Sequence, residues 1–413
     1  MKKEAASNTA ALTFRVLELG MSSPSTYIRT SFTWLAYLMV GYFSTLESML
    51  GPTLPLLQQQ LNLSYTVVSL HFSAFALGII LTGLVGDRII GRLGRRTALW
   101  SGALGMVVGE MLVALGHNAT LTILGAMTIG LLGSLTLVTV QAGLSDQYGS
   151  RRVTALSEAS VVASLFSIVA PLTVGLFTAS VIGWRGAYGL AMAFCLIVAL
   201  LFHPTPIPLA EQHTGSSQTP GRAILGLPFW AYCAVFFVAS GVEWALLAWA
   251  PTFLQEVGGA SPAEAATLMS VFFGAMLVGR LSGSVLSRRM GSSALLLLAL
   301  AVALAGFPVF WLAPWLPLRI VGLIVTGVGI ANQYPFSIAN AMHVAARYAD
   351  AANARLALTN GLAGLLAPFI LGAIADSSGI QQSYAVVAAL LVVAVATALV
   401  ANRVATGAVP ADI

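Results

Sequence analysis

Charge is what this sequence has least of. Only 8% of its 413 residues are Asp, Glu, Lys or Arg, where an ordinary globular protein carries roughly a quarter. So few charges cannot cover a surface in water, and this excludes a soluble fold. The 58% hydrophobic content and a mean hydropathy of +0.90 point to lipid as the solvent. Cysteine is almost absent too: Cys195 and Cys233 lie in apolar runs with no metal-ligand spacing and no Cys-x-x-Cys, and are read as small core residues. There is no Gly-x-x-x-x-Gly-Lys phosphate loop, no His/Glu metal motif and no nucleophile elbow. ATP-driven pumping and membrane hydrolysis therefore have no support, and no enzyme activity, cofactor or metal is expected. The first 29 residues lack an apolar leader and a small-residue cleavage site, and are expected to be a retained extension.

What is present is a series of apolar runs, each near the roughly 20 residues that cross a hydrocarbon core. Their approximate limits are 30 to 57, 65 to 86, 97 to 116, 120 to 145, 155 to 181 and 186 to 203. A second set covers 226 to 254, 263 to 286, 292 to 313, 317 to 343, 353 to 374 and 381 to 402. Between the sets lies PTPIPLAEQHTGSSQTPGR, a polar, Pro/Ser/Thr-rich stretch that reads as a linker. The expected organisation is an extension over 1–29, a six-helix bundle over 30–203, a linker over 204–225, a second bundle over 226–402 and a tail over 403–413.

The net charge of +5 comes from basic residues at span ends rather than from a stripe, so no nucleic-acid partner is expected. With twelve spans, Lys2, Lys3, Arg15, Arg29, Arg88, Arg92, Arg95, Arg96, Arg151, Arg152, Arg222, Arg288, Arg289, Arg347, Arg355 and Arg403 fall on one face. The other face receives Arg185 and Arg319. Short loops rich in Lys and Arg stay in the cytoplasm, so both termini and the linker are expected there, in the inner membrane of a cell.

An internal repeat ties the halves together. Glu47 and Pro55 in the first span match Glu243 and Pro251 in the seventh, 243 − 47 = 251 − 55 = 196. Ala170-Pro171-x-x-x-Gly175 matches Ala367-Pro368-x-x-x-Gly372 at 368 − 171 = 197, and Gly183 and Tyr188 match Gly379 and Tyr384 at 196 again. Two parallel six-helix repeats with a site between them near the midplane form a transporter architecture.

The segment between the second and third spans, Gly83-Leu84-Val85-Gly86-Asp87-Arg88-Ile89-Ile90-Gly91-Arg92-Leu93-Gly94-Arg95-Arg96, resembles the marker motif of the major facilitator superfamily. Gly91 comes four residues after Asp87 where the usual pattern has three. A second copy around Gly279, Arg280 and Gly283 has Ser287 in place of the aspartate. The resemblance covers about residues 30 to 402. It implies an all-α membrane protein of twelve transmembrane helices in two pseudo-symmetric bundles. It also implies a secondary transporter that moves a small solute by alternating access. Gly83 and Gly86 are expected at a close helix approach. Asp87 with Arg88, Arg92 and Arg280 is expected to latch the cytoplasmic side, with topology anchoring as the other reading of the arginines.

Ionisable groups at bilayer depth cost roughly 2.5–3.5 kcal/mol on insertion scales and are candidate functional groups. Glu47 and Glu243, each about 17 residues into its span, are expected to carry protons or touch substrate. The alternative is a hydrogen-bonded brace. His71 is a candidate partner for Glu47, or a satisfied core histidine. Glu110 is read as structural, Glu158 and Arg355 as interfacial, and Arg280 also as a possible anion ligand. Asn332, Gln333 and Asn360 supply amide donors and acceptors to a cavity, and Pro335 permits a bend. Trp244 offers an aromatic face or simply packs, while Trp249 is read as an interface anchor.

The expected activity is proton-coupled uptake of a small polar metabolite, by a monomer whose partners are substrate, protons and the bilayer. Efflux of a drug or metabolite by proton antiport is the alternative. It is weakened by a fourth span without arginine and by Ala170-Pro171 where the family's drug antiporters usually carry Gly-Pro. A membrane receptor that kept the fold is the reading from another class.

Overall fold

The computed structural model describes residues 27–209 and 225–407. Most of the expected extension and linker, and residues 408–413 of the tail, lie outside the described residues. Among those described there are thirteen α-helices and no strand. They are α1 Ser31–Leu61, α2 Tyr65–Leu93, α3 Arg95–Leu115, α4 Ala119–Tyr148, α5 Arg152–Thr178, α6 Arg185–Phe202 and α7 Leu227–Glu256. They continue with α8 Pro262–Leu286, α9 Ser292–Leu312, α10 Leu316–Ile330, α11 Gln333–Val344, α12 Ala349–Ser378 and α13 Ile380–Gly407. Because α10 and α11 are two pieces of one crossing, the set corresponds to twelve spans in two groups of six.

Helix is dictated by the solvent: in hydrocarbon every backbone N–H and C=O must find its partner within the segment. Side chains mark the starts. Thr30 and Ser261 form capping boxes with Thr33 and Glu264, and Ser64 and Asn118 each accept from the third amide of their helix. Gly94, Gly149 and Gly379, all at positive φ, end α2, α4 and α12. Ten continuous helical stretches are long and apolar enough to cross a membrane, one of them, Ala119–Thr178, holding both α4 and α5. The first helix is not among them, because Ser44, Thr45, Glu47 and Ser48 dilute its middle.

The break between α10 and α11 follows from Pro335. Its ring lacks an N–H and crowds the carbonyl four residues earlier, that of Ala331. There the helix stops, with Asn332 at φ −105°, ψ −5°. The Asn332 amide then braces the break by donating to the Gly279 carbonyl of α8 at 2.6 Å.

The first and last described residues lie on one face, called here the terminal face, where Arg29 pairs with Glu158 at 2.6 Å and Asn402 accepts from Tyr232 at 2.7 Å. On the opposite face Arg185 donates to the Ala114 carbonyl at 2.6 Å, and Arg319 to the Trp311 carbonyl at 2.8 Å. These carbonyls end α3 and α9, the third crossing of each half. The two arginines that break the charge asymmetry are therefore spent on helix C-termini, whose partial negative charge favours a cation.

Within each half, close approaches use small residues. A Cβ built on Gly130 of α4 would lie 2.1 Å from the Phe75 carbonyl of α2. Gly83 and Gly86, expected in that role, do not fill it. A Cβ at Gly83 would meet nothing within 4 Å, and one at Gly86 would meet only Thr82 of its own helix, at 3.2 Å.

Candidate functional site

The halves face each other along α2 with α12, α5 with α8, and α1 with α7. The hydrogen bonds between them among the described residues have a clear polarity. Near the opposite face, Asp376 of α12 accepts from the Tyr65 and Thr66 amides at 2.8 and 2.9 Å, filling the first two vacant N–H groups of α2. The Tyr65 hydroxyl donates to Glu256 at 2.5 Å, and Gln59 reaches Gln255 at 3.5 Å. Deeper, Ser73 donates to the Leu365 carbonyl at 2.7 Å and Arg280 to Ser164 Oγ at 3.1 Å. Among the described residues, hydrogen bonds tie the bundles together on the opposite face and at mid-depth, and none does so at the terminal-face ends.

Beneath that closure sit the two glutamates. Both are half-buried at mid-span, and neither has a hydrogen bond or ion pair among the described residues. Glu47 feels the charges of Glu243 and Arg280, and Glu243 feels that of Arg280. Those influences act across the facing helices α1 and α7, which carry the two carboxylates at matched depth. Each lies one helical turn on the terminal-face side of the tightest α1–α7 crossing, where a Cβ at Gly51 would come 2.1 Å from the Leu247 carbonyl. Tyr334, at the start of α11, lies in the field of both carboxylates. It is 43% exposed, with its ring edge-on to Phe236 of α7, the helix that carries Glu243.

Several sequence expectations find different places. Both ring nitrogens of His71 are occupied, Nδ1 by the Val68 carbonyl at 2.9 Å and Nε2 by Thr122 Oγ1 at 2.8 Å. It joins α2 to α4 within one bundle and does not partner Glu47. Trp244 does not present an open face. It is 5% exposed, lies between Phe72 and Phe75 of α2 with Gly364 against its ring, and donates to Asn360 Oδ1 at 3.4 Å. Trp249 is no interface anchor either: it is wholly buried against Tyr65, with its N–H on the Pro368 carbonyl at 3.0 Å. Asn332 is spent on α8, as described, and Gln333 is buried with neither amide atom paired. Asn360 is half-buried, its oxygen taken by Trp244.

The expected latch is not formed in this structure. Asp87, Arg88 and Arg92 are exposed, and Asp87 has no ion pair among the described residues. The loop is not packed against the other bundle, since a Cβ at Gly83 would meet nothing within 4 Å. Arg95 instead pairs with Asp146 at 2.5 Å, and Arg96 holds the His203 and Thr205 carbonyls after α6. Arg280 belongs with the glutamates rather than with the latch. Glu110 is wholly buried and accepts from the Tyr42 hydroxyl, a bond inside the N-terminal bundle.

Sequence reasoning missed Tyr334 and Gly51. Tyr334 lies between two residues that were singled out, Gln333 and Pro335, and the turn of 100° per residue separates its direction from theirs. Gly51 had a usable signal: the offset of 196 places it opposite Leu247.

Comparison with known proteins agrees with this architecture. Residues 33–352 and 259–411 match the Major Facilitator Superfamily. The cyanate transport protein CynX of Escherichia coli (strain K12) is 26% identical over 357 residues, covering 80% of this chain and 86% of that protein. Among solved structures, the nucleoside transporter NupG superposes with a TM-score of 0.68 at 16% identity, covering 92% of this chain and 99% of that one. A D-xylose-proton symporter gives 0.72 at 15% identity, covering 90% and 96%. The chain belongs to the Major Facilitator Superfamily and is an integral membrane transporter.

Proposed function

We propose that this chain takes up a small polar solute together with protons, acting as a monomer in the inner membrane with its terminal face in the cytoplasm. The orientation rests on the excess of Lys and Arg on that face. The single observation that carries the coupling is the pair of carboxylates, Glu47 and Glu243, at matched positions of the facing helices α1 and α7, without a hydrogen bond or ion pair among the described residues and in the electrostatic field of Arg280.

The physical reason is the charge of the vestibule. With both glutamates ionised, two carboxylates outweigh one guanidinium and the site repels anions. With both protonated, Arg280 alone sets the field and an anionic or acceptor-rich group is attracted. Protons and such a solute then favour each other's binding, and linkage makes that preference reciprocal. Tyr334 and Asn360 add neutral hydrogen-bonding groups. The name of the cyanate transport relative, a protein that moves a small anion, supports a substrate of this kind. Rocking residues 30–203 against 226–402 would close the terminal face and bring Asp87, Arg88, Arg92 and Gly83 into an interface, forming the latch in that state.

Proteoliposomes test the reading. Glu47→Gln and Glu243→Gln should abolish proton-driven accumulation while sparing exchange, and accumulation at the wild-type level in either variant rejects the coupling role. External alkalinisation on adding substrate to energised vesicles marks symport, and acidification marks the antiport alternative. A ligand that binds without flux would mark a receptor.

A further inference from the structure

Away from the vestibule, a recess of about 720 Å³ opens on the terminal face of the C-terminal bundle. It lies between the starts of α7 and α9 and the ends of α11 and α13. That volume falls within the roughly 300–1,000 Å³ of small-molecule sites. Its wall includes Tyr232, Ser292, Ser293, Asn340, His343 and Asn402, and no acidic residue.

The recess is rich in unspent donors. The 21-residue helix α9 begins in it at Gly291 with no side-chain cap. The amides of its first turn, at Ser292, Ser293 and Ala294, have no partner among the described residues. Such a helix start favours an anion. Asn340 of α11 makes the case independently of the helix end. It is 4% exposed, and its Oδ1 is taken by the Ser292 and Ser293 hydroxyls at 2.6 and 3.0 Å. Its Nδ2 is buried and has no acceptor among the described residues. Asn402 repeats the pattern, since the Tyr232 hydroxyl donates to its Oδ1 at 2.7 Å and its amide nitrogen has no acceptor among the described residues. His343 stands one turn from Asn340 on the same helix, and the exposed Arg288 and Arg289 just precede Gly291.

The two asparagines have spent their acceptor oxygens on hydroxyls and keep their amide N–H groups, and together with the α9 amides these donors suit a group with several acceptor oxygens and negative charge. We propose that this recess binds a phosphate group, either that of a free phosphate ester or that of an anionic lipid headgroup. A tetrahedral phosphate offers oxygens to the α9 amides, to Asn340 and to His343 at once, which a chloride ion does not. The site is separate from the transport vestibule and does not depend on the reading of Glu47 and Glu243.

The test uses the full chain. In neutral detergent, inorganic phosphate is titrated against chloride at constant ionic strength by calorimetry. In parallel, the protein is placed in nanodiscs of phosphatidylcholine with and without phosphatidylglycerol, and retained lipid is read by native mass spectrometry. The expected result is saturable phosphate binding, or selective retention of phosphatidylglycerol, and which of the two occurs identifies the source. Ser292→Glu sets a carboxylate in the first turn of α9, where the positive end of the helix favours it, so it should fold and weaken binding by about tenfold. His343→Ala, at an exposed position, should weaken it by about threefold whatever the first variant does. Glu47→Gln should leave it unchanged. Absence of preference for phosphate over chloride together with absence of lipid selectivity overturns the proposal. So does an affinity that is the same in wild type and His343→Ala.

Discussion

Gly51 of α1 and Leu247 of α7 occupy equivalent places in the two halves, 247 − 51 = 196, and they touch. A Cβ at Gly51 would lie 2.1 Å from the Leu247 carbonyl oxygen. The duplicated helices thus cross at matched positions, one turn from the matched glutamates, and absence of a side chain at one of them allows the opposite face to shut.

Gly51→Ala should therefore force the closure open. Overpacking costs ~1–3 kcal/mol, which shifts the balance between the two states by roughly 5- to 150-fold. Cross-linking of a Gln59→Cys/Gln255→Cys pair on the opposite face reports the closed state, and its yield should fall in the Gly51→Ala background. An unchanged yield would show that this contact does not control the closure.

Asp376 is the second handle on the same closure. Its carboxylate caps the first two amides of α2 from the other bundle, while Ser64 caps the third. Asp376→Ala should cost the closed state about 0.5–2 kcal/mol, the usual worth of a helix cap. Amide exchange at Tyr65 and Thr66 should accelerate by a matching factor of about 2 to 30, whereas exchange at the start of α4, capped within its own bundle, should not change.

Arg280 is expected to set affinity rather than stability. It is exposed to the vestibule and makes one neutral contact, to Ser164, so Arg280→Ala removes a charge without opening a cavity. Transport KM should rise by about 10- to 100-fold, with the melting temperature nearly unchanged. Ser164→Ala should leave KM within about twofold.

Glu110 supplies the contrasting case. Tyr42→Phe deletes the hydroxyl that serves it and leaves a wholly buried carboxyl group with no donor. Unfolding stability should drop by ~1–3 kcal/mol, read as a lower melting temperature in detergent, while flux per folded molecule stays at the wild-type level. Loss of coupling in this variant would give Glu110 a transport role.

The crossings were legible because each is a local fact: an apolar run between polar ends, with caps such as Ser64 and Asn118 in place. The duplication was legible because Glu47/Glu243 and Pro171/Pro368 survive as side-chain types. Individual partners were not legible. His71 faces Thr122 rather than Glu47, and Trp244 is enclosed by Phe72 and Phe75. The rotation of one helix against its neighbours decides those contacts, and a run of leucines and valines that is apolar on every side carries no record of rotation.

By itself the sequence determined that this chain lives in lipid, how many times it crosses and that its halves are copies. These follow from hydration energy, which sums over residues wherever their neighbours are. Only the tertiary structure decided that Arg280 joins the glutamates and that Asp87 stands free. It also decided that Asp376 caps the far bundle's helix and that Tyr334 is exposed while Gln333 is buried. Each of these is a short-range contact between helices distant in sequence, and its strength falls away within a few ångströms, so it exists only once packing has set the distance.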